Sequence, residues 1–249
     1  MVTNPDHCSW IPAAWAAPSW IKAGITTRQG GQSQPPYTSF NLATHVGDNP
    51  LSVEKNRDYL ARMLNLPAKP IWLEQIHGNR IICADQAQDY KADGLYTDRT
   101  KTVCAIMTAD CVPILMCNTN GTRVAAIHVG WKGFCAGILG QSLDLFTDHN
   151  NELLIWIGPH IYKDSYEVGN DVRDAVLNAN QQLSDAFSPN QRGRWQASLE
   201  FMIRYALESR GVSQISSANL CTLTHAEDFY SFRRDGKTGR MASLIWIDR

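Results

Sequence analysis

Three observations predict an α+β fold with strands and helices mixed in layers. Short apolar runs of strand length recur along the 249 residues. Stretches with helical periodicity lie among them. The two kinds alternate without the regular βαβ rhythm of a parallel sheet, although a mixed-sheet α/β layering is also compatible with this order. There is no internal repeat and no low-complexity linker. A single domain over residues 1–249 is expected, with residues 1–19 as an aromatic-bearing segment laid over its core.

Read in order, "WIKAGITT" (20–27) is the first strand. The loop "RQGGQSQPPYTSFN" follows, and irregular loops of this length are usually functional. Asn49 and Pro50 form a plausible cap and first turn for a helix running to about Asn65, with Asn56 and Arg57 within its apolar face. Strands follow at 70–76, 80–85, 102–108, 111–117 and 123–129. Gly121, after Asn118 and Asn120, marks a turn between the last two. "GFCAGILGQSLDLFTDH" (133–149) reads as a helix despite its glycines, and "ELLIWIGP" (152–159) as a strand ending in a turn. Amphipathic helices are expected near 170–183 and 195–210, with late strands at 214–223 and 241–247.

The composition is 44% hydrophobic and 19% charged, which excludes a disordered chain. A formal net charge of −1 and no dense run of Lys and Arg argue against nucleic acid as partner. The longest apolar run, "CAIMTADCVPILMC", is broken by Asp110, so no membrane span is expected. The first twenty residues lack a basic start and carry prolines, a poor signal peptide. Seven cysteines (8, 83, 104, 111, 117, 135 and 221) form no CxxC pair, and several lie in apolar runs. That pattern fits a reducing cytoplasm better than a disulfide framework.

The chemistry-bearing residues are His77, Cys111 and His128, each at or near a predicted strand end. Imidazole and thiolate are preferred zinc ligands, and three protein ligands leave a fourth position open. The spacings of 34 and 17 residues match no compact zinc finger. Taken from spacing alone, a buried core cysteine and two turn histidines are the more ordinary reading. A Cys111–His128 nucleophile pair competes with both. Arg57, Arg28 and Lys132 are the candidate anion contacts. Arg57 is the first choice, because a guanidinium on an apolar helical face needs a partner. The bland alternative makes Arg57 a structural pair and Lys132 a solvated loop charge. "SFRRDGKTGR" (231–240) is basic but reads as an ordinary turn, and His160 of "IGPHI" as an exposed turn residue.

"HGN", "TADCVPIL", "HVGWKG", "IGPHI" and "CTLTHAEDFYSFRRDGKTGRMA", together with "GITTRQGGQSQPPYTSFNLATHVGDNPLSVEKNRDYL", resemble the YfiH (DUF152) family, also called the laccase-domain family. The resemblance covers residues 20–247, with Val129 and Lys132 where the family often has Ala and Arg. It implies a layered α/β/β/α sandwich related to a toxin deamidase fold. It also implies metal ligands at His77, Cys111 and His128, with zinc the expected cofactor and copper the alternative. The implied activity is purine nucleoside phosphorolysis, acting on adenosine, inosine, guanosine and methylthioadenosine with phosphate, with adenosine deamination at the same site. In that setting Cys111, His128 and Arg57 are the expected catalytic residues, and Arg28, Arg57 and Lys132 the expected phosphate contacts. A role on peptidoglycan precursors, with Cys111 as an amidase nucleophile, and copper-dependent phenol oxidation are the alternatives. A multicopper oxidase needs further His-rich centres. The remaining histidines, at 7, 45, 149, 160 and 225, form no HxH motif, which argues against a laccase. A single open zinc suits deamination directly.

Overall fold

The computed structural model describes residues 9–249 and contains two large mixed sheets. The first has five strands in the order β1 (Trp10–Pro12), β2 (Ile21–Thr26), β14 (Met241–Ile247), β6 (Cys104–Thr108), β3 (Ile71–Trp72). The second has six, in the order β13 (Gln214–Ser217), β9 (Leu153–Ile157), β7 (Val112–Asn118), β8 (Val124–Val129), β5 (Gly94–Thr97), β4 (Ile81–Cys83). A small third sheet joins β10 (Glu167–Val168), β12 (Trp195–Ala197) and β11 (Phe187–Pro189).

Strand periodicity dictates the layering. Successive side chains of a strand point to opposite faces, so a strand buried on both sides feeds two cores. In β7, Leu115 and Cys117 join the core between the two large sheets. Val112, Ile114 and Met116 face the other way, toward α3 (Ile138–Leu143), α4 (Asn170–Ala179) and α5 (Leu199–Glu208). β14 divides likewise. Met241, Ile245 and Ile247 face the inter-sheet core. Ala242, Leu244 and Trp246 face α1 (Pro50–Met63) through Leu60 and Phe40. The order of layers is therefore α/β/β/α, as the resemblance implies.

The start of α1 is as expected: Asn49 caps it, accepting from the N–H groups of Leu51 and Ser52, with Pro50 in the first turn. Other elements differ. The single helix expected over 133–149 is two short ones, α2 (Trp131–Cys135) and α3, separated by Gly137 at φ 84°. A glycine in that left-handed conformation cannot continue a helix. The late strand expected over 214–223 stops at Ser217, and the helix expected from 195 starts at Leu199, capped by Ser198, after a short strand. Strand β5 falls where none was expected. No helix among the described residues is long and apolar enough to cross a membrane.

The long loop after β2 is held by Asn56, which α1 presents fully buried. Its amide nitrogen donates to Ser33 Oγ at 3.0 Å, the Ser39 carbonyl at 3.2 Å and the Asn41 carbonyl at 2.8 Å, while its oxygen accepts from the Gln32 N–H at 2.8 Å. One side chain thus satisfies four loop groups. Asn56→Ala strands several of them away from water, at about 1–3 kcal/mol for each buried group left unpaired. Urea unfolding should show a loss of about 2–4 kcal/mol, and limited proteolysis should cut first within 28–41.

Candidate metal centre and cleft

Hairpin β7–β8 brings two of the three candidate ligands together. Its turn, with Gly121 at φ 58°, lies at the far end. At the open end Val112 pairs with Val129 and Pro113 with His128. Cys111, immediately before β7, therefore lies beside His128, the penultimate residue of β8, although 17 residues separate them in sequence. His77 comes from the loop between β3 and β4. The ligand atoms of His77, Cys111 and His128 lie within 4.8 Å of one another, and the two imidazole rings meet edge to face at 4.8 Å.

Asp93 ties the loop to the hairpin. It immediately precedes β5, which pairs with β8, and its carbonyl accepts from the His128 N–H at 2.7 Å. Its carboxylate, fully buried, accepts from the N–H groups of His77 at 2.9 Å, Gly78 at 2.6 Å and Ile76 at 3.3 Å. It also meets His128 Nδ1 at 2.8 Å. A carboxylate partner there places the proton on Nδ1 and leaves Nε2 for the centre. His77 itself adopts φ 57°, a left-handed conformation that the N–H bond to Asp93 helps hold.

The electrostatics follow from this packing. Burial acts to raise the Cys111 thiol, but the His128 and His77 rings outweigh it and bring it down to about 6. Burial acts to lower His128, but the Cys111 thiolate and Asp93 outweigh it and take it up to about 9. By contrast, burial alone pushes the Cys117 thiol, deep in β7, up to about 12.

These donors fit a metal ion. Nitrogen and thiolate suit a borderline or soft cation, and the Asp93–His128 pair is the outer-shell arrangement that orients a metal-binding imidazole. The backbone leaves room as well: a Cβ at Gly130 would lie 3.1 Å from Cys111 Sγ and 3.5 Å from His77 Cδ2. Asp110, held at φ 93°, accepts from Thr222 Oγ1 at 2.7 Å and from the Arg233 N–H at 2.7 Å. The residue before Cys111 is thereby fixed.

The centre opens on two cavities. One, of about 330 Å³, is lined by His45, Gln75, Thr108, Asp110, Tyr166, Phe232, Arg233 and Arg240 as well as the three donors. The other, of about 310 Å³, shares His77, Cys111, Asp110 and Tyr166 and is closed by Trp131, Lys132 and Leu199. Of the cations expected to meet an anion, Lys132 lines the second cavity, its Nζ 5.6 Å from the Trp131 ring centroid. Arg57 and Arg28 line neither. Arg57 gives Nε and an Nη to the Leu42 carbonyl, at 3.0 and 2.8 Å, and stacks on Trp72 at 4.1 Å. Arg28 reaches the Thr38 and Ala226 carbonyls over the Tyr230 ring. The stretch 231–240 is no ordinary turn, since Phe232, Arg233 and Arg240 wall the larger cavity. His160 is buried, not exposed. Its Nδ1 is 2.8 Å from the Gly158 carbonyl, and Nε2 is 3.6 Å from Glu200. Asp93, Phe232 and Arg240 were not singled out individually in the sequence, and only the basic character of 231–240 signalled the last two.

Asp93→Asn keeps an acceptor for part of the loop but removes the charge that orients His128. Metal affinity, measured by competition with a chromogenic chelator, should fall about 10- to 100-fold, with the circular dichroism spectrum unchanged.

Residues 22–248 match the family described as multi-copper polyphenol oxidoreductase laccase. The purine nucleoside phosphorylase YfiH of Escherichia coli K12 is 45% identical over 240 residues, covering 95% of this chain and 98% of that one. A purine nucleoside phosphorylase of Pseudomonas aeruginosa is 41% identical over 240 residues, covering 96% and 98%. The crystal structure of a Neisseria meningitidis protein of the DUF152 family superposes with a TM-score of 0.92 at 41% identity, covering 97% of this chain and all of that one. That of Bacillus licheniformis YfiH gives 0.89 at 32% identity, covering 98% of each chain. Fold, centre and relatives agree: the chain belongs to the YfiH (DUF152) family, the multi-copper polyphenol oxidoreductase laccase family.

Proposed function

We propose that this chain is a zinc-dependent purine nucleoside phosphorylase, with copper the alternative metal, and that adenosine deamination occurs at the same centre. The observation that carries the reading is a His77–Cys111–His128 donor set opening on a cavity walled by Phe232, Arg233 and Arg240. Relatives named purine nucleoside phosphorylase support it. The substrates are adenosine, inosine, guanosine and methylthioadenosine, with phosphate as co-substrate. Phosphorolysis joins a phosphate oxygen to ribose C1′ as the C1′–N9 bond breaks. That bond's electron pair leaves with the purine, and the proton of dihydrogen phosphate ends on it.

The protein's tasks are to orient the nucleoside and hold the anion. Phe232, 59% exposed at the cavity wall, offers a flat apolar face of the kind a purine stacks on. The guanidinium groups offer forked donors for an oxyanion. His77, Cys111 and His128 would hold the metal, which supplies Lewis-acid polarisation when bound. Arg57, whose guanidinium is taken by the Leu42 carbonyl, acts through its charge, which is felt at His45 on that wall; Lys132 borders the second cavity. The reading places the enzyme in the cytoplasm.

Product analysis tests this. Metal-loaded protein with inosine and phosphate should release hypoxanthine and ribose 1-phosphate, and should release little hypoxanthine without phosphate. Adenosine should yield inosine as well as adenine. His77→Ala, Cys111→Ala and His128→Ala should each lose most bound metal and activity, and combining them should add little. A Cys111→Ala protein retaining stoichiometric zinc and full turnover overturns the assignment.

A second reading has its own observation. Cys111, His128 and Asp93 also form the thiol–imidazole–carboxylate series of a cysteine amidase. Against it, the His77 ring nitrogen also lies within 4.8 Å of the Cys111 sulfur and helps lower its pKa, which a nucleophile does not require. Iodoacetamide separates the two. In metal-free protein, Cys111 should alkylate with a rate that rises with pH and is half-maximal near 6, where its thiolate forms. In metal-loaded protein the reaction should be slow across the same range, because the sulfur is occupied. Rapid alkylation with metal bound, and turnover of an amide after chelation, would favour the amidase.

A further inference from the structure

Tyr166 holds a place that neither the donor triad nor the guanidinium wall accounts for. It follows the short turn Lys163–Ser165 and leads into β10. The main chain fixes it on both sides: its N–H donates to the Lys163 carbonyl at 3.1 Å, and its carbonyl accepts from the Ala197 N–H at 3.0 Å. The Arg233 guanidinium lies 5.2 Å from the ring centroid and donates to the neighbouring Glu167 carbonyl at 2.6 Å. Asp110 in turn holds the Arg233 N–H at 2.7 Å. A ring pinned in this way loses little freedom when a ligand arrives.

The hydroxyl at its tip is not tied down. Tyr166 borders both cavities beside His77 and Cys111. The residue is half-buried, and its hydroxyl makes no hydrogen bond with any described residue. Unlike the Thr108 hydroxyl, it is not sealed from solvent, so a ligand in the cleft can reach it. The charges of Cys111, Arg233 and Asp110 are felt at the phenol, that of Cys111 most, so the tip faces the centre. Ile161, Trp131, Leu199 and the exposed Phe232 ring share its cavities, a setting for a flat heterocycle. An anion belongs beside the guanidinium groups instead, because Cys111 and Asp110 oppose one at this point. A purine ring nitrogen accepts a hydrogen bond without carrying net charge. A phenol keeps its proton at neutral pH, since its ordinary pKa is about 10, so it donates without ionising.

We infer that Tyr166 is a catalytic residue whose O–H donates to a ring nitrogen of the bound purine, in a bond that strengthens as the C1′–N9 bond breaks and its electron pair moves onto the base. No proton leaves Tyr166. Its role is electrostatic, that of a fixed donor aimed at the place where charge develops. Charge growing on the base beside Cys111 and Asp110 needs such a donor, and the phenol supplies it. A bond that is stronger in the transition state than in the ground state acts on kcat more than on KM. The inference rests on the phosphorolysis reading and assigns the residue that eases departure of the base.

The test compares wild type with Tyr166→Phe, both metal-loaded, on guanosine and on 7-methylguanosine with phosphate. The substitution removes the hydroxyl and keeps the ring under Arg233. The base of 7-methylguanosine is already cationic and departs neutral, so it needs no such donor. For guanosine, kcat should fall about 10- to 100-fold, with KM for nucleoside and for phosphate changed by less than about threefold. For 7-methylguanosine, kcat should stay within about twofold of wild type. That second substrate also shows that the variant is folded and holds its metal. Wild-type kcat on guanosine, or an equal loss on both nucleosides, overturns the role of Tyr166 and leaves the phosphorolysis reading in place. No release of base by the wild type from either nucleoside removes that reading and this role with it.

Discussion

The Asp93 carboxylate lies fully buried between the loop that carries His77 and the strand that carries His128. Such a charge is tolerated in a protein interior only when its hydrogen bonds are made. Here three backbone N–H groups and one imidazole supply them, and together they hold Asp93 below its ordinary range against the opposing effect of burial. Each of these bonds also helps position His77 or His128 of the donor triad. The loop N–H bonds curl residues 76–78 so that His77 faces Cys111. The imidazole bond sets the tautomer of His128. Without this anion the loop keeps the Gln75 and Asn79 bonds to β6 and the end of α2, but loses the bonds that join His77 directly to the residue orienting His128.

A consequence is that the centre is exposed on two sides with different character. Toward the larger cavity lie guanidinium groups and an exposed aromatic ring; toward the smaller lie Trp131, Leu199 and a lysine. Tyr166 and Asp110 border both. A substrate with a polar arm and a flat arm can therefore span the centre rather than enter it end-on. The left-handed backbone at Asp110 and His77 is the local strain that accompanies this arrangement, about 1–3 kcal/mol each, offset by the hydrogen bonds that both residues make.

Much of the scaffold was legible in the sequence because its strands are uninterrupted apolar runs, as in 102–108, 111–117 and 123–129. The cap Asn49-Pro50 was equally clear. The donor triad could be picked out because His and Cys at strand ends are chemically conspicuous. What orients it could not, since "ADG" around Asp93 has the look of a turn: an isolated acid before a glycine gives no periodic signal. The same holds for β5, four residues long and opening on that glycine. The arginines show the limit most clearly. Arg57 lies on an apolar helical face, as the pattern suggests, but a carbonyl and a tryptophan take its guanidinium. Arg240 lies in what reads as a turn, yet strand pairing carries it to the cavity wall. Where a long cation ends up depends on tertiary partners, which neither spacing nor propensity encodes.

Strand β14 enters the five-stranded sheet at its centre, between β2 and β6, although it is the last strand in the chain. During synthesis, β7 and β8 can zip locally as soon as they emerge, and β5 joins them over a short separation. Cys111, His128 and Asp93 are then already neighbours. The middle of the other sheet must wait for residues 241–247, and until they arrive β2 and β6 have no common partner. Arg240 arrives with them. A nascent chain can thus bring Cys111, His128 and Asp93 together well before strand β14 completes the wall of the cleft that Arg240 lines.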